Sequence, residues 1–238
     1  MSERGILDQQ IDYYRARAGE YDEWWFRTGR YDRGPEWNAR WRADVGEVEG
    51  AVERWLEARR PQNALELACG TGLFTRLLAP KVGRLTAIDA SPEVLAVNRG
   101  RVAGDNVEYV QADLFSWQPR ERYDAVFFSF WLSHVPDERF APFWKIVGTA
   151  LAPSGAAYLV DSAFDPTSTA KDHPLPERDA GIVTRRLNDG REFRIVKLFY
   201  EPAALAAKLA RVGFASDIRQ TAQYFIYGEA RPKSYLSE

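Results

Sequence analysis

The sequence predicts an α/β fold built on a mostly parallel, doubly wound sheet, and three observations carry that expectation. The apolar run Ala64-Leu65-Glu66-Leu67 ends in the glycine-rich bend Cys69-Gly70-Thr71-Gly72, and the bend leads straight into Leu73 to Leu78, whose apolar residues have helical spacing. Two more strand-like runs follow, Arg84 to Asp89 and Val107 to Gln111, each ending on or just before an acid, Asp89 and Asp113. Tyr123 to Phe128 is then a nearly continuous apolar run, the mark of a parallel strand covered on both faces.

Taken in order, Ile6 to about Gly19 reads as an amphipathic helix, because Ile6, Leu7, Ile11 and Tyr14 recur at three- and four-residue steps. Trp24, Trp25, Phe26, Tyr31, Trp37 and Trp41 follow, interrupted by Gly29, Gly34 and Pro35. Large rigid rings in such a segment suit a lid that excludes water, or a contact between subunits. Glu36 to about Ala58 reads as one or two helices with Val45, Val48, Val52, Trp55 and Leu56 on one face, closed by Pro61. After the second strand, Ser91 is placed to cap a helix that Pro92 opens.

Beyond the fourth strand, Ser129 to Pro136 leaves the carboxyl edge of the sheet, where open α/β sheets bind ligands. Asp137 is expected to cap a helix from Glu138 to about Ala150, and a strand near Ala156 to Val160 ends at Asp161. Residues 162–180 form a polar, Pro-rich connection of a length that is usually functional. Ile182 to Leu187 and Arg191 to Phe199 flank Asn188-Asp189-Gly190 as a β-hairpin. Alternation puts Arg194 on one face and Arg191, Phe193, Ile195 and Lys197 on the other, so Lys197 either snorkels to water or meets an anion. A helix from Glu201 to about Arg211, ended by Gly213, and strands near 215–219 and 222–227 complete the chain.

These residue types point to a nucleoside. Glycine at 70 and 72 removes the Cβ atoms that would hold a ligand off the backbone, and the N–H groups of the bend then face it. Asp89, 17 residues past Gly72, can accept both hydroxyls of a ribose. Asp113 beside Leu114 and Phe115 suits an adenine, whose amino group donates while its faces take apolar cover. A dinucleotide dehydrogenase is the weaker reading, since it would want glycine where this chain has Thr75.

Composition narrows the classes. A chain of 238 residues that is 45% hydrophobic can bury a full core. A net charge of −2 argues against a broad nucleic-acid footprint. Cys69 is the only cysteine, which fits a reducing cytoplasm, and two histidines beside it leave few metal ligands. The first residues lack the apolar core of a signal peptide and no run is long enough to cross a bilayer, so a cytoplasmic protein without membrane partner or metal is expected.

ELACGTG, AIDASPEVL, QADLF and YDAVFFSFWLSHVP, in this order and at these intervals, resemble the class I S-adenosylmethionine-dependent methyltransferases. The resemblance implies a Rossmann-like seven-stranded sheet of order 3-2-1-4-5-7-6. Residues 1–60 would form a helical N-terminal cap, 61–238 the Rossmann-like domain, and 162–199 an inserted substrate hairpin. It implies S-adenosylmethionine as cofactor, leaving as S-adenosylhomocysteine, with Tyr14, Tyr21, Glu66, Ala68, Cys69, Gly70 and Gly72 around one part of it. Asp89, Ala90, Ser91, Asp113, Leu114, Phe115, Ser129 and Phe130 would surround the rest, and Arg17 would approach the methionine carboxylate or the substrate.

Within this family, YYRARAGEYD at Tyr13 to Asp22, FFSFWLSHVPDERFAPFW at Phe127 to Trp144 and RLNDGREFRIVKLF at Arg186 to Phe199 are similar to phosphonate O-methyltransferases of the dehydrophos type. That likeness implies a small, anionic acceptor near the hairpin, with Arg185, Arg186, Arg194 and Lys197 as its cations, and Trp25 and Trp131 beside it. A phosphonate or carboxylate oxygen needs no base. An aromatic hydroxyl or ring nitrogen, stacked among Trp24, Trp25 and Trp131, would need one, and His134 is the candidate. A module that binds the cofactor without catalysis is the third reading. The expected partner is a small molecule, with no nucleic acid, and the protein a monomer or homodimer.

Overall fold

The computed structural model describes residues 3–102, 104–173, 177, 178 and 180–233. Five parallel strands, β1 (Asn63–Leu67), β2 (Arg84–Asp89), β3 (Val107–Gln111), β4 (Tyr123–Ser129) and β5 (Leu151–Ser162), share one sheet with the antiparallel strands β8 (Phe214–Gln220) and β9 (Phe225–Pro232). The order is β3-β2-β1-β4-β5-β9-β8, so the sixth and seventh strands of this sheet exchange places as expected. It reverses between β1 and β4, and the crevice at their carboxyl ends is where such a sheet takes ligands.

Alternation along β4 sends Phe127 to one face and Phe128 to the other, and each face has its own core. On the first, α3 (Pro35–Arg59) packs Trp41, Val48, Val52 and Leu56 with Phe74 and Phe127. On the second, α6 (Asp137–Ala150) and α7 (Pro202–Arg211) bring Phe140, Phe143, Trp144, Leu205 and Leu209 against Leu65, Leu67 and Phe128. Gly34, at φ 89°, and Pro35 in the first turn start α3 as one continuous helix.

Within the aromatic N-terminal segment, Trp25 and Trp41 belong to the core, while Trp24 and Trp37 are only partly buried. Trp41 is fully buried, its Nε1 donating to the carbonyl of Trp25 at 2.9 Å, and Trp25 lies among Phe74, Phe130 and Phe225. Each buried ring removes roughly 150–250 Å² from water, worth roughly 4–6 kcal/mol before entropy is counted. Hydrophobicity therefore pulls these rings into the core.

Three local expectations are corrected by tertiary partners. Asp137 does not cap α6: Pro136 holds the N-cap position, and the Asp137 carboxylate, inside the first turn, pairs with Lys208 of α7. β9 starts at Phe225 rather than near 222, because the buried Asp44 carboxylate accepts the N–H groups of Gln223 and Tyr224 and the Thr221 hydroxyl, holding residues 221–224 in a turn. β5 spans Leu151–Ser162, longer than its apolar run.

The hairpin β6 (Ile182–Arg186) and β7 (Glu192–Val196) forms a separate two-stranded sheet. Helix α1 (Glu3–Arg17) lies on it, Tyr13 against Val183, Leu187 and Ile195, and Ile6 and Leu7 against Val196. Part of the 162–180 connection, residues 174–176 and 179, lies outside the described residues, as do Met1 and Ser2. Its short turn Pro166–Ser168 is held by Trp24 Nε1 and Arg27 Nη1, both donating to the Ser168 carbonyl, and by Arg27 Nη2 donating to Thr167 O. Among the described residues no helix is long and apolar enough to cross a membrane.

Candidate active site

Two chambers meet above the carboxyl ends of β1 and β4. The first encloses about 800 Å³ of space, part of it open to solvent. Its floor is set by two non-glycine residues in the left-handed region, Ala68 just after β1 and Phe130 just after β4, each at φ 52°. Such backbone is strained for residues with a Cβ and gathers at functional sites. Gly70, at φ 56°, borders the chamber with no protein atom closer than 4.0 Å to a Cβ placed there, so its bare backbone faces open space.

The two glycines of the bend differ in purpose. A Cβ on Gly72 would come within 2.7 Å of Asn98 Oδ1. Asn98 is fully buried and donates to the Gly70 carbonyl and to Thr75 Oγ1, tying the bend down from beneath. Gly72 therefore serves packing, while Gly70 opens the chamber.

Asp89 lines the chamber from the tip of β2, one oxygen accepting the Gly70 N–H and the other the Ser91 N–H, both at 3.0 Å. Burial raises its pKa, and these N–H groups oppose the rise. Each carboxylate oxygen keeps a further lone pair for a ligand hydroxyl. Asp113, whose Oδ1 accepts the Phe115 N–H at 2.9 Å, stands with Leu114 and Phe115 on another wall. Trp131, near Phe115, has a buried indole Nε1 with no acceptor among the described residues. An orphaned donor, an acidic strand tip and a bare bend fit an adenosyl cofactor, which supplies acceptors, a diol and a flat base.

The second chamber adjoins the first and shares Tyr14, Tyr21, Phe130 and His134 with it. Its other walls come from α1, the Trp24 ring, the 162–169 segment and the hairpin. Three cations face it: Arg17, Arg185 and Lys197. The Arg17 guanidinium lies 4.7 Å from the Tyr21 ring centre and donates to the Tyr31 hydroxyl at 3.2 Å. Arg185 has a buried Nη1 without a hydrogen-bond partner among the described residues. Lys197 is 7% exposed and donates to Ser133 Oγ at 2.8 Å and Ser162 Oγ at 3.1 Å.

At the neck, the Tyr14 hydroxyl is 2.7 Å from His134 Nε2, and His134 Nδ1 is 2.6 Å from the Val196 carbonyl. A carbonyl can only accept, so Nδ1 carries the proton and Nε2 accepts from Tyr14. Burial, then the nearby Lys197, holds His134 well below its usual pKa, and burial holds the Tyr14 phenol well above its own. Both groups are neutral near pH 7, and the ring nitrogen that a base would use is already occupied.

Of the residues singled out from sequence, Tyr14, Tyr21, Ala68, Gly70, Asp89, Ala90, Ser91, Asp113, Leu114, Phe115, Ser129 and Phe130 all border the first chamber. Glu66 and Cys69 do not: both are buried, Cys69 against Ala87 and Leu95, and burial pushes Glu66 up to about 8, which leaves it largely a neutral carboxyl at pH 7. Gly72 also stays outside, for the packing reason above. Trp131 lies on the cofactor side rather than the acceptor side, and Trp25 is core. Alternation sends Arg185 and Lys197 into the second chamber and leaves Arg186 and Arg194 exposed on the opposite face of the hairpin. Gln10, Tyr31 and Thr169 also line these chambers, brought in by remote segments, and so does Thr71 from within the glycine bend itself.

Known proteins agree with this geometry. The family model described as a methyltransferase domain matches residues 64–155. The chain is 31% identical over 172 residues to the trans-aconitate 2-methyltransferase of Streptomyces avermitilis, covering 68% of this chain and 61% of that one. Over 125 residues it is 35% identical to the Escherichia fergusonii protein of the same name, covering 49% and 47%. It thus spans between about half and three fifths of the length of these curated relatives. The DhpI structure with SAH superimposes with a TM-score of 0.78 at 37% identity, covering 98% of this chain and all of that one. The DhpI complex with SAM and HEP does so at 0.77 and 39%, with the same coverage. With the strand order, the bare bend and the acidic tips on the carboxyl edge, this likeness over nearly the whole length makes the chain a member of the class I S-adenosylmethionine-dependent methyltransferases.

Proposed function

We propose that this protein transfers a methyl group from S-adenosylmethionine to an oxygen of a small anionic metabolite, a phosphonate or a carboxylate. The observation that carries the reading is the buried Nη1 of Arg185, which has no partner among the described residues, beside Lys197 and Arg17, in a chamber that opens onto the nucleoside-shaped one. A buried guanidinium without a protein acceptor is costly, and an oxyanion would satisfy it. Two neighbours support the acceptor class: the S. avermitilis relative is named for trans-aconitate, and DhpI was crystallised with HEP.

When bound, the cofactor supplies an electrophilic methyl on a positively charged sulfur. This chain's own residues align and exclude water. Asp89, Gly70 and Ser91 would hold the ribose side, Asp113, Leu114 and Phe115 the base, and the Tyr14, Tyr21 and Phe130 faces would surround the neck through which the methyl passes. Arg185 and Lys197 would turn one acceptor oxygen toward that neck. Fixing both reactants in line accounts for roughly 7–11 kcal/mol of barrier. An acceptor already ionised needs no proton removal, in keeping with a His134 whose Nε2 is engaged by Tyr14. The same engagement counts against an aromatic acceptor that relies on His134 as base.

The test is to incubate the protein with S-adenosylmethionine and parallel sets of phosphonates, carboxylates and phenols, reading S-adenosylhomocysteine release and methyl ester by mass spectrometry. Turnover confined to the anionic sets is expected. Methylation of phenols alone would reverse the assignment, and cofactor binding with no turnover on any set would favour a binding module.

A further inference from the structure

Asp161 is the penultimate residue of β5, 1% exposed, and it borders neither chamber. Its carboxylate is fixed by two backbone donors, the Ser133 N–H to Oδ2 at 2.8 Å and the Ser162 N–H to Oδ1 at 2.7 Å. Lys197 Nζ stands 3.8 Å from Oδ1. That is too far for a hydrogen bond and near enough for a strong charge interaction in a buried site.

An ammonium has three N–H groups. Lys197 gives two of them to Ser133 Oγ and Ser162 Oγ, residues adjacent to or part of the carboxylate's own anchorage. The third remains for the acceptor chamber that Lys197 lines. Of the other groups facing the ammonium, Arg185 on β6 and Arg17 on α1 are cations that oppose its charge, His134 is a neutral ring, and the Phe199 face at 5.3 Å adds a modest cation–π attraction. Asp161 is the counter-charge among them. Burial brings Lys197 down to about 8 even with that carboxylate in place.

We propose that Asp161 is a positioning residue that holds Lys197 as an ammonium aimed at the acceptor, and that it thereby sets the affinity and pH range of acceptor binding. The inference rests on the anionic-acceptor reading above and adds to it a residue outside the chamber. A lysine binds an anion while protonated, so affinity is full below its pKa and lost as pH rises through it. Without the carboxylate that edge moves down, by roughly one to three pH units for an opposite charge at this range.

The experiment uses the full chain loaded with S-adenosylhomocysteine and titrates methanesulfonate, an anion at every pH used, by calorimetry from pH 6 to 9. The parent protein is expected to bind evenly at low pH and to weaken above about pH 8. Asp161→Asn is expected to move the edge down by at least one unit, which makes binding at least roughly threefold weaker at pH 7.5, with S-adenosylhomocysteine affinity unchanged. Asp161→Glu, which keeps the charge, is expected to keep the edge near its parent position, and it carries the test if the Asn variant does not fold. An unmoved edge in Asp161→Asn, or an equal shift in Asp161→Glu, overturns the inference while leaving the acceptor reading intact. Failure of the parent protein to bind the anion at any pH overturns both.

Discussion

The two chambers are made in opposite ways. The first is built largely from short stretches that each follow a parallel strand: Ala68 to Thr71 after β1, Asp89 to Ser91 at β2, Asp113 to Phe115 after β3, and Ser129 to Trp131 at the end of β4. Once the sheet forms in its order, backbone geometry delivers these residues to one edge. The second chamber has no such common frame. Arg17, Trp24, Ser162, Thr169, Arg185 and Lys197 come from segments far apart in sequence and are held by contacts across those gaps, such as Arg27 to Thr167 and Ser168 and Gln10 to His134. A frame set by topology suits a cofactor that is always the same. Walls set by remote contacts can change with the acceptor while the sheet is left untouched.

Four substitutions or titrations separate the two regions. The largest effect is expected for Arg185→Met, which removes the buried fork from the second chamber alone. Catalytic efficiency on an anionic acceptor should fall by about 2–5 kcal/mol of transition-state binding, while calorimetric affinity for S-adenosylmethionine stays within about twofold. A comparable loss of cofactor affinity would show that the chambers are one unit. Asp89→Ala is the reciprocal change, and it should weaken cofactor binding by about 1.5–3 kcal/mol, the worth of hydrogen bonds to a charged group. Methanesulfonate binding to the variant should match the parent.

Tyr14→Phe acts at the neck and should be felt on both sides. It leaves His134 Nε2 buried without a donor, at a cost of about 1–3 kcal/mol in stability by denaturant melting. The cofactor and the acceptor should both bind more weakly, and a loss confined to one ligand would place Tyr14 in a single chamber. The most gradual effect is a pH slope. His134 is held below its ordinary pKa, and His173 is brought down to about 4, chiefly by burial in each case. Below pH 6.5 the unfolded chain takes up protons that these folded rings refuse, so stability falls with pH by up to about 1.4 kcal/mol per unit for each ring. Melting between pH 7 and 5 should show this decline, and His173→Gln should reduce it. Methyl transfer itself should show no rising limb near pH 6.5, since His134 does not titrate there in the fold.

Much of the first chamber is legible in sequence because its determinants are local. A strand, a glycine bend and a capped helix are each read within about ten residues, as Ser91 shows by accepting the Val94 N–H at the start of α5 (Pro92–Arg101). Local patterns are less informative where two demands share one residue type. Gly70 and Gly72 look alike in the chain, yet one opens a cradle and the other makes room for Asn98. Trp24 and Trp25 are neighbours, yet one walls the acceptor chamber and the other fills the core, because adjacent residues on a helix point about 100° apart.

By itself the sequence determined the strand runs, the acidic tips and the hairpin, since hydrophobic period, turn chemistry and propensity act over short spans, while the strand order followed from the family resemblance. Only the tertiary structure decided which cations face a ligand and which face water, that His134 is committed to Tyr14, and that Asp161 stands behind Lys197. Those outcomes depend on burial and on partners more than a hundred residues away for Tyr14 and His134, and on the different protein surroundings met by otherwise similar charged side chains.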